Sequence, residues 1–472
     1  YYGTFEAVFN GNPITGDAVA NFAEKKIIGG KISTKNPKIL SIYAKTGSKS
    51  ILYDFSYAGL KNIINNGKKV FDVTDFGAIP NSGKDCRDAI QHAVDCATVN
   101  GGGIINFPPG IYDFSVKEKK PPVFIESSNI TLRGAGTGRN GTTLVNHRYS
   151  ETPDSSKIWL AGLSPGFFII APDAKKNYLI YKTPDLIPIC EIRNARRGEK
   201  VITTSDEKNY ITKISKQKTY LLRHLENEDG ELVKALVLNA CSPAKNYIGQ
   251  GRAFITQLID VEKVEKNAIF IDSPLHWTLS KKWKAEICEI RMIENVSIEN
   301  MHLRSCWDKF FVHHKNAEHD NGWDHIKLCQ AKNCLIKNIV HESTTSAISL
   351  RNCKNCLVVE NRIAGNPGHN GFICTDYSTN NLFLRCNAGH QMHALNLAGT
   401  PCGNVFFDCI IDEPGGIDLH GGIGLDNLFD RLIGGVNYGG GAASAVPPRH
   451  APGLVFWNWL AGSFNPYLPW RT

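Results

Sequence analysis

Asn381-Leu382-Phe383, Asn404-Val405-Phe406 and Asn427-Leu428-Phe429 recur at an interval of 23 residues. Cys386, Cys409 and Leu432 keep the same interval, and Cys334-Leu335 and Cys356-Leu357 lie 22 apart. A second column reads Ile326-Lys327-Leu328, Ile348-Ser349-Leu350, Phe372-Ile373-Cys374, Leu395-Asn396-Leu397 and Ile417-Asp418-Leu419. Each piece is a short strand by its period-two alternation. Strands this short cannot bury a face alone, so their repetition reads as a solenoid. The Leu/Asn consensus of leucine-rich repeats is missing and no helix pattern recurs. A parallel β-helix remains, with five rungs between Asp324 and Gly440 stacked about 4.8 Å apart.

Upstream, Val70-Phe71-Asp72-Val73-Thr74-Asp75-Phe76-Gly77-Ala78 precedes a stretch from Asp85 to Thr98 that sets Ile90, Val94 and Ala97 on one helical face. Gly101-Gly102-Gly103-Ile104-Ile105-Asn106-Phe107-Pro108-Pro109-Gly110 and Ile130-Thr131-Leu132-Arg133-Gly134-Ala135-Gly136 follow. A solenoid needs its open end covered, and the helix is suited to that.

This run resembles the start of the pectate-lyase-like superfamily of right-handed parallel β-helices, which includes polysaccharide lyases, polygalacturonases, other glycanases and phage tailspikes. The resemblance spans about residues 70–150 closely and 290–440 through the rung pattern. It implies an all-β, right-handed, single-stranded parallel β-helix with an N-terminal capping helix. It further implies action on a polysaccharide. The polygalacturonase motif set is incomplete: Cys374-Thr375-Asp376 stands where Asn-Thr-Asp is expected, and Gly368-His369-Asn370 and Gly389-His390-Gln391 are the nearest matches to Gly-His-Gly.

The chain divides as an N-terminal extension (1–65, with Ile51 to Gly59 as a strand), the start of the β-helix (66–184), an inserted β subdomain (185–290), the groove-bearing rungs (291–446) and a C-terminal cap (447–472). The insertion is rich in Lys and Glu and lacks the 23-residue period; 197–201 and 268–275 read as hairpin material. The Trp- and Pro-rich tail reads as packing on the last rung.

The 472 residues carry 53 Lys plus Arg against 45 Asp plus Glu, a net charge of +8. This favours an anionic partner. With no basic block and no recognition helix, nucleic acid is not expected. No apolar run is long enough for a membrane helix, so no membrane insertion is expected. The opening residues lack a signal-peptide pattern. A secreted or periplasmic location is expected, with any signal already removed. The 14 Cys form no disulfide framework. Stacked pairs such as Cys334/Cys356 and Cys386/Cys409 fall within disulfide reach, but free ladders filling the core are favoured.

Eleven of the 15 His lie at or after His302. If Ile348 and Leu350 point inward, three outward columns follow. They are His325, Ala347, Gly371, Ala394, Gly416; Lys327, Ser349, Ile373, Asn396, Asp418; and Cys329, Arg351, Thr375, Ala398, His420. Small residues form a groove floor and polar ones its ends. Turns beside it add His369, His390 and His393 before the strands and Asp376 and Tyr377 after one. The long loop before Trp323 adds His313, His314, Lys315, His319 and Asp320.

Two chemistries suit such a groove. β-Elimination at a uronate needs a base for the proton α to the carboxylate and cations to offset the charge. Hydrolysis needs two carboxyls, roughly 5–5.5 Å apart for retention or 6.5–9.5 Å for inversion. The expected catalytic set is His393, His369, Asp376, Arg351 and Asp418. The expected substrate-binding set is His325, Lys327, His390, His420, Tyr377, Asn396, His314 and Lys315. No metal or other cofactor is expected, with calcium left open. The expected partner is an anionic polysaccharide. Lyase action is favoured over a hydrolase acting on a sulfated glycan such as a fucan or carrageenan. A non-catalytic glycan-binding protein is the third reading. Sugar identity and oligomeric state are not legible.

Overall fold

Parallel pairing starts at Val70–Asp72 in the computed structural model, which describes residues 53–151, 166–177, 186–204, 210–226, 230–236, 253–437 and 450–461, apart from 63, 65, 66, 68, 281 and 452, and the hairpin strands Ala7–Phe9 and Asn12–Ile14. One sheet then climbs the coil through Gly103–Phe107, Ile130–Gly134, Ser297–Ser305, Leu335–Glu342, Leu357–Val359, Leu382–Leu384, Val405–Phe407, Leu428–Asp430 and Val455–Trp457. A second runs Val123–Ile125, Phe168–Ile170, Asp324–Cys329, Ser346–Arg351, Asn370–Thr375, His393–Ala398, Ile410–Leu419 and Ile433–Asn437. The chain is a right-handed parallel β-helix.

The 23-residue interval is a set of ladders inside the coil. Phe383, Phe406, Phe429 and Phe456 stack face to face with centroids 4.5, 4.8 and 5.1 Å apart. Asn381 gives its side-chain amide to Asn404 Oδ1 at 2.9 Å, and Asn404 does the same to Asn427 at 3.1 Å. Each Asn oxygen also accepts the backbone N–H of the Asn one rung back, so a buried amide at every turn is satisfied by the next copy of itself. Cys334, Cys356, Cys386 and Cys409 are buried and free, as are all the cysteines among the described residues apart from partly exposed Cys96 and exposed Cys306, which are also free.

The helix Arg87–Val99 buries Ile90, Ala93, Val94 and Ala97 in the main core, over the first rungs. Asp85, one residue ahead of the N-cap Cys86, accepts the Arg87 N–H at 3.0 Å and so satisfies one of the first turn's free donors. The strand expected at 51–59 is different: Ile51 and Leu52 lie outside the described residues, and Phe55–Tyr57 is a 3-10 turn. Asp54 draws in both the backbone N–H and the hydroxyl of Ser56, a local bond that competes with extended backbone. In the tail, Val455–Trp457 adds the last strand and Trp459 stacks on Phe456 at 5.6 Å; residues 447–449, 452 and 462–472 lie outside the described residues.

Between the coil strands Phe168–Ile170 and Ser297–Ser305 the chain leaves the coil. It builds a six-stranded antiparallel sheet in the order Pro188–Glu191, Ala285–Glu289, Thr219–Leu225, Ala253–Glu265, Ala268–Ile271, Val201–Thr203. This sheet docks on one turn column of the coil. Fully buried Lys354 reaches Asp272 at 2.6 Å and Asp260 at 3.1 Å. Lys332 also meets Asp260, at 3.4 Å. Thr379 Oγ1 accepts the Leu258 N–H at 3.0 Å, Thr400 meets Thr256 at 2.6 Å, and Asp426 takes Arg197 and His276 at 2.7 and 3.1 Å.

Candidate functional site

Along the second sheet the columns Ile326, Ile348, Phe372, Leu395, Ile417 and Leu328, Leu350, Cys374, Leu397, Leu419 pair in register and fill the core. The column Lys327, Ser349, Ile373, Asn396, Asp418 lies between them and points out. A Cβ on Gly371 would come within 2.3 Å of the Ala394 carbonyl oxygen, so this position admits only glycine at the rung spacing.

The first column departs from simple alternation. His325 is fully buried, bonded to Ser305 at 3.0 Å and to His341 through the two Nδ1 atoms at 3.2 Å. Ala347 and Ala394 join the core with it. The bend into each strand turns this first side chain inward, and the groove position passes to the residue before it, in the column Asp324, Ser346, Asn370, His393. His325 therefore lies in the interior of the coil and not on the groove face where it was expected. Gly416 pairs with His393 rather than Ala394, because a bulge intervenes.

A cluster of imidazoles forms where these strands begin. Asp418 is fully buried; its Oδ2 accepts from Asn396 Nδ2 at 2.9 Å and meets His420 Nδ1 at 2.7 Å. His393 Nδ1 lies 3.3 Å from the same oxygen. His393 and His369 are 5.0 Å apart ring to ring. The loop before the strand Asp324–Cys329 brings His313 to 4.9 Å and His314 to 5.5 Å from the His369 ring, with the His313 and His314 rings 3.6 Å apart and tilted by 30°. Buried Asp320, at the end of the short helix Ala317–Asp320, anchors this loop. Its Oδ2 meets His314 Nδ1 and its Oδ1 accepts the His314 N–H, both at 2.9 Å. Phe311 stacks on His369 at 6.0 Å, while Phe310 and Val312 on either side are exposed, Phe310 at 88%.

The electrostatics divide the cluster. The hydrogen bond to Asp418 raises the His420 pKa above the usual imidazole value. Burial lowers His393 to about 4 and carries His369 well below the usual value; His313 is lowered by burial and by the neighbouring His314. His393, His369 and His313 are therefore neutral at physiological pH, and the His420–Asp418 pair keeps its proton longest.

Of the expected catalytic residues, His393, His369 and Asp418 come together. Arg351 and Asp376 do not join them. They are an ion pair at the other end of the strands, where Thr375 pairs with Ala398. Five residues separate His393 from Ala398, roughly 17 Å of strand. Of the expected binding residues, His420, Asn396 and His314 are in the cluster. Lys327 shares the Asp418 column four rungs away, roughly 19 Å, and is buried in an ion pair with Asp324 at 2.9 Å. Tyr377 is half-buried against Leu221, Leu258 and Cys288 of the inserted sheet and the adjoining Ile290. His390 is exposed, meets the Glu413 carbonyl at 2.5 Å and lines a separate depression with Arg362, Asn366 and Asp412. Lys315 is exposed at the end of the turn that carries His313 and His314. His319 is structural: its Nδ1 accepts the Val312 N–H and its ring meets Trp307 edge to face. The contributions of His313 and Asp320 were foreshadowed only by the density of His and Asp in their loop.

Residues 70–151 match the family described as rhamnogalacturonase A/epimerase, pectate lyase-like, and the resemblance carried by that segment is thereby shown. A mannuronan C5-epimerase of Azotobacter vinelandii is 40% identical over 76 residues, 16% of this chain and 9% of its own length. Alginate lyase 7 of the same organism matches with the same identity and coverage. The chain thus spans less than a tenth of either relative. Among solved structures, the tailspike of Pseudomonas phage phi297 superposes with a TM-score of 0.48 at 12% identity, covering 84% of this chain and 64% of that one. The A-module of an Azotobacter vinelandii mannuronan C-5 epimerase gives 0.29 at 14%, covering 83% and 79%. The segment 70–151 contains none of the clustered histidines.

Proposed function

We propose that this protein cleaves an anionic, uronate-containing polysaccharide by β-elimination. The observation that carries the reading is the Asp418–His420 dyad: Asp418 fixes Nδ1 at 2.7 Å on a side chain that stays 32% exposed. An imidazole oriented through Nδ1 by a carboxylate presents Nε2 as a base. In the step, His420 Nε2 takes the proton α to the uronate carboxylate. The C–H electron pair becomes the new double bond, the β C–O bond breaks, and the imidazolium returns the proton to the leaving glycosidic oxygen. Neighbouring neutral imidazoles can donate hydrogen bonds to the carboxylate as charge builds on it. The chain's net charge of +8 suits an anionic polymer, and a polymer substrate suits a secreted or periplasmic protein.

A second reading is C5-epimerisation, which begins with the same proton abstraction and ends with reprotonation from the opposite face. The match to a mannuronan C5-epimerase and an alginate lyase over one segment favours keeping both outcomes. Hydrolysis by Asp376 and Asp418 has less support. They are two rungs and three strand positions apart, roughly 14 Å at the backbone. That exceeds the roughly 6.5–9.5 Å window for inversion, and each carboxylate is already engaged.

The test is a panel of alginate, pectate, ulvan, glycosaminoglycans, carrageenans and sulfated fucans. Ultraviolet absorbance reports unsaturated uronate, reducing-end assay reports cleavage, and NMR of the polymer reports inversion at C5. Absorbance rising with reducing ends supports elimination; reducing ends alone would refute it. Silence in all three channels would favour a glycan-binding protein.

A further inference from the structure

We propose that His313, His314 and His369 bind one divalent transition-metal ion of the Zn2+ type beside the Asp418–His420 dyad. One nitrogen from each ring can be chosen so that all three lie within 4.8 Å of one another. His369 is 7% exposed, and neither of its ring nitrogens has a hydrogen-bond partner among the described residues. The nearest acidic oxygen, Asp320 Oδ1, is 3.9 Å from its Nδ1. His313 Nε2 is likewise buried without a partner. Nitrogens left unpaired in a protein interior call for a ligand that supplies what the protein withholds.

The rest of the loop is built for ligation. Asp320 holds His314 by Nδ1 and by its backbone N–H, which leaves Nε2 as the coordinating atom and fixes the ring. This is the carboxylate–histidine arrangement that orients metal-binding imidazoles. Three imidazoles with no carboxylate among them select a transition metal over calcium or magnesium, and leave a fourth position open. His393, whose Nε2 is also buried without a hydrogen-bond partner, borders that position. Resting on the proposed elimination, the open position takes the uronate carboxylate, so that the metal offsets the charge that develops when His420 removes the α proton.

Tag-free protein would be stripped with a chelator, then titrated with Co2+ and with Zn2+ by calorimetry, with visible d–d absorption recorded for Co2+. One equivalent, a Co2+ spectrum carrying imidazole ligation and a rise in Tm are expected. His369→Ala and His314→Ala should each weaken binding at least tenfold, while His92→Ala, on the exposed face of the capping helix, should bind as the parent does. His314 is exposed, so its variant tests the site even if the His369 variant folds poorly, which circular dichroism would reveal. No stoichiometric Co2+, or binding unchanged by both variants, overturns the proposal and leaves those nitrogens to water. Metal bound by a protein silent on every polysaccharide would uphold the site and refute the elimination. Full lyase activity in chelated protein that binds no added metal would do the reverse.

Discussion

His420 and His393 approach the same oxygen, Asp418 Oδ2, at 2.7 and 3.3 Å, and are driven in opposite directions by where they stand. His420 gains a well-formed bond to the carboxylate and remains partly exposed. His393 is 2% exposed, and burial outweighs its attraction to Asp418. One carboxylate thus raises the pKa of one imidazole while burial lowers that of another beside it, within a single rung interval.

Asp418→Asn keeps the shape of this arrangement and the bond from Asn396 while removing the charge. Turnover should fall about 10²-fold or more. The rise of activity with pH should move to lower pH, because His420 loses the partner that raises its pKa. A pH–rate profile checks both; parent-like turnover with an unmoved profile would remove Asp418 from the chemistry.

Asp376→Asn separates the two ends of the groove. It breaks only the half-buried pair with Arg351, so stability should drop by about 1 kcal/mol while turnover stays within a few-fold of the parent. His393→Ala should abolish most turnover with the coil intact by circular dichroism. A dead Asp376 variant beside an active His393 variant would relocate the site to the far end of the strands.

Lys354→Met leaves Asp260 and Asp272 facing an apolar side chain in a buried setting, with Lys61 and Lys332 as remaining cations. A loss of about 3 kcal/mol is expected in urea unfolding, with earlier proteolytic cleavage in the inserted sheet. A change under about 1 kcal/mol would mean the neighbouring lysines suffice.

Acid should unfold the protein partly through His341. Burial lowers its folded pKa to about 3, with the bond to His325 and the nearby His302 around it. A depressed folded value means stability is intact above the unfolded value, about 6.5, and is lost as pH falls from there toward 3. His341→Gln, which cannot titrate, should shift the acid midpoint to lower pH. An unchanged midpoint by circular dichroism would assign acid sensitivity elsewhere.

Phe310, exposed beside the clustered histidines, is suited to packing against a sugar ring. Phe310→Ala should raise KM several-fold with kcat and Tm unchanged. A fall in kcat at constant KM would contradict a binding role.

The rungs were legible because strand alternation and the 23-residue interval are local, and Phe383, Phe406 and Phe429 stack where the interval sets them. The site was legible in part. Asn396 and Asp418 fell in one column, but period two fails at His325, where the chain bends and the first side chain turns in. Tyr377 was lost for a different reason: strands more than 85 residues upstream fold over it, and no local pattern reports that. The loop carrying His313 and Asp320 reaches His369 across about 50 residues of chain, a closure set by tertiary packing rather than by spacing.

The inserted sheet has a mechanical consequence. Stacked rungs contact only their neighbours, so an unbraced coil can fray from its open end one turn at a time. Here Lys332, Lys354, Thr379, Thr400 and Asp426, taken from successive rungs, are all fastened to the same antiparallel sheet or to the segments that connect its strands. The sheet acts as a splint along the coil. A rung cannot peel away without breaking its tie, so the turns that carry the histidines should melt together as one cooperative unit.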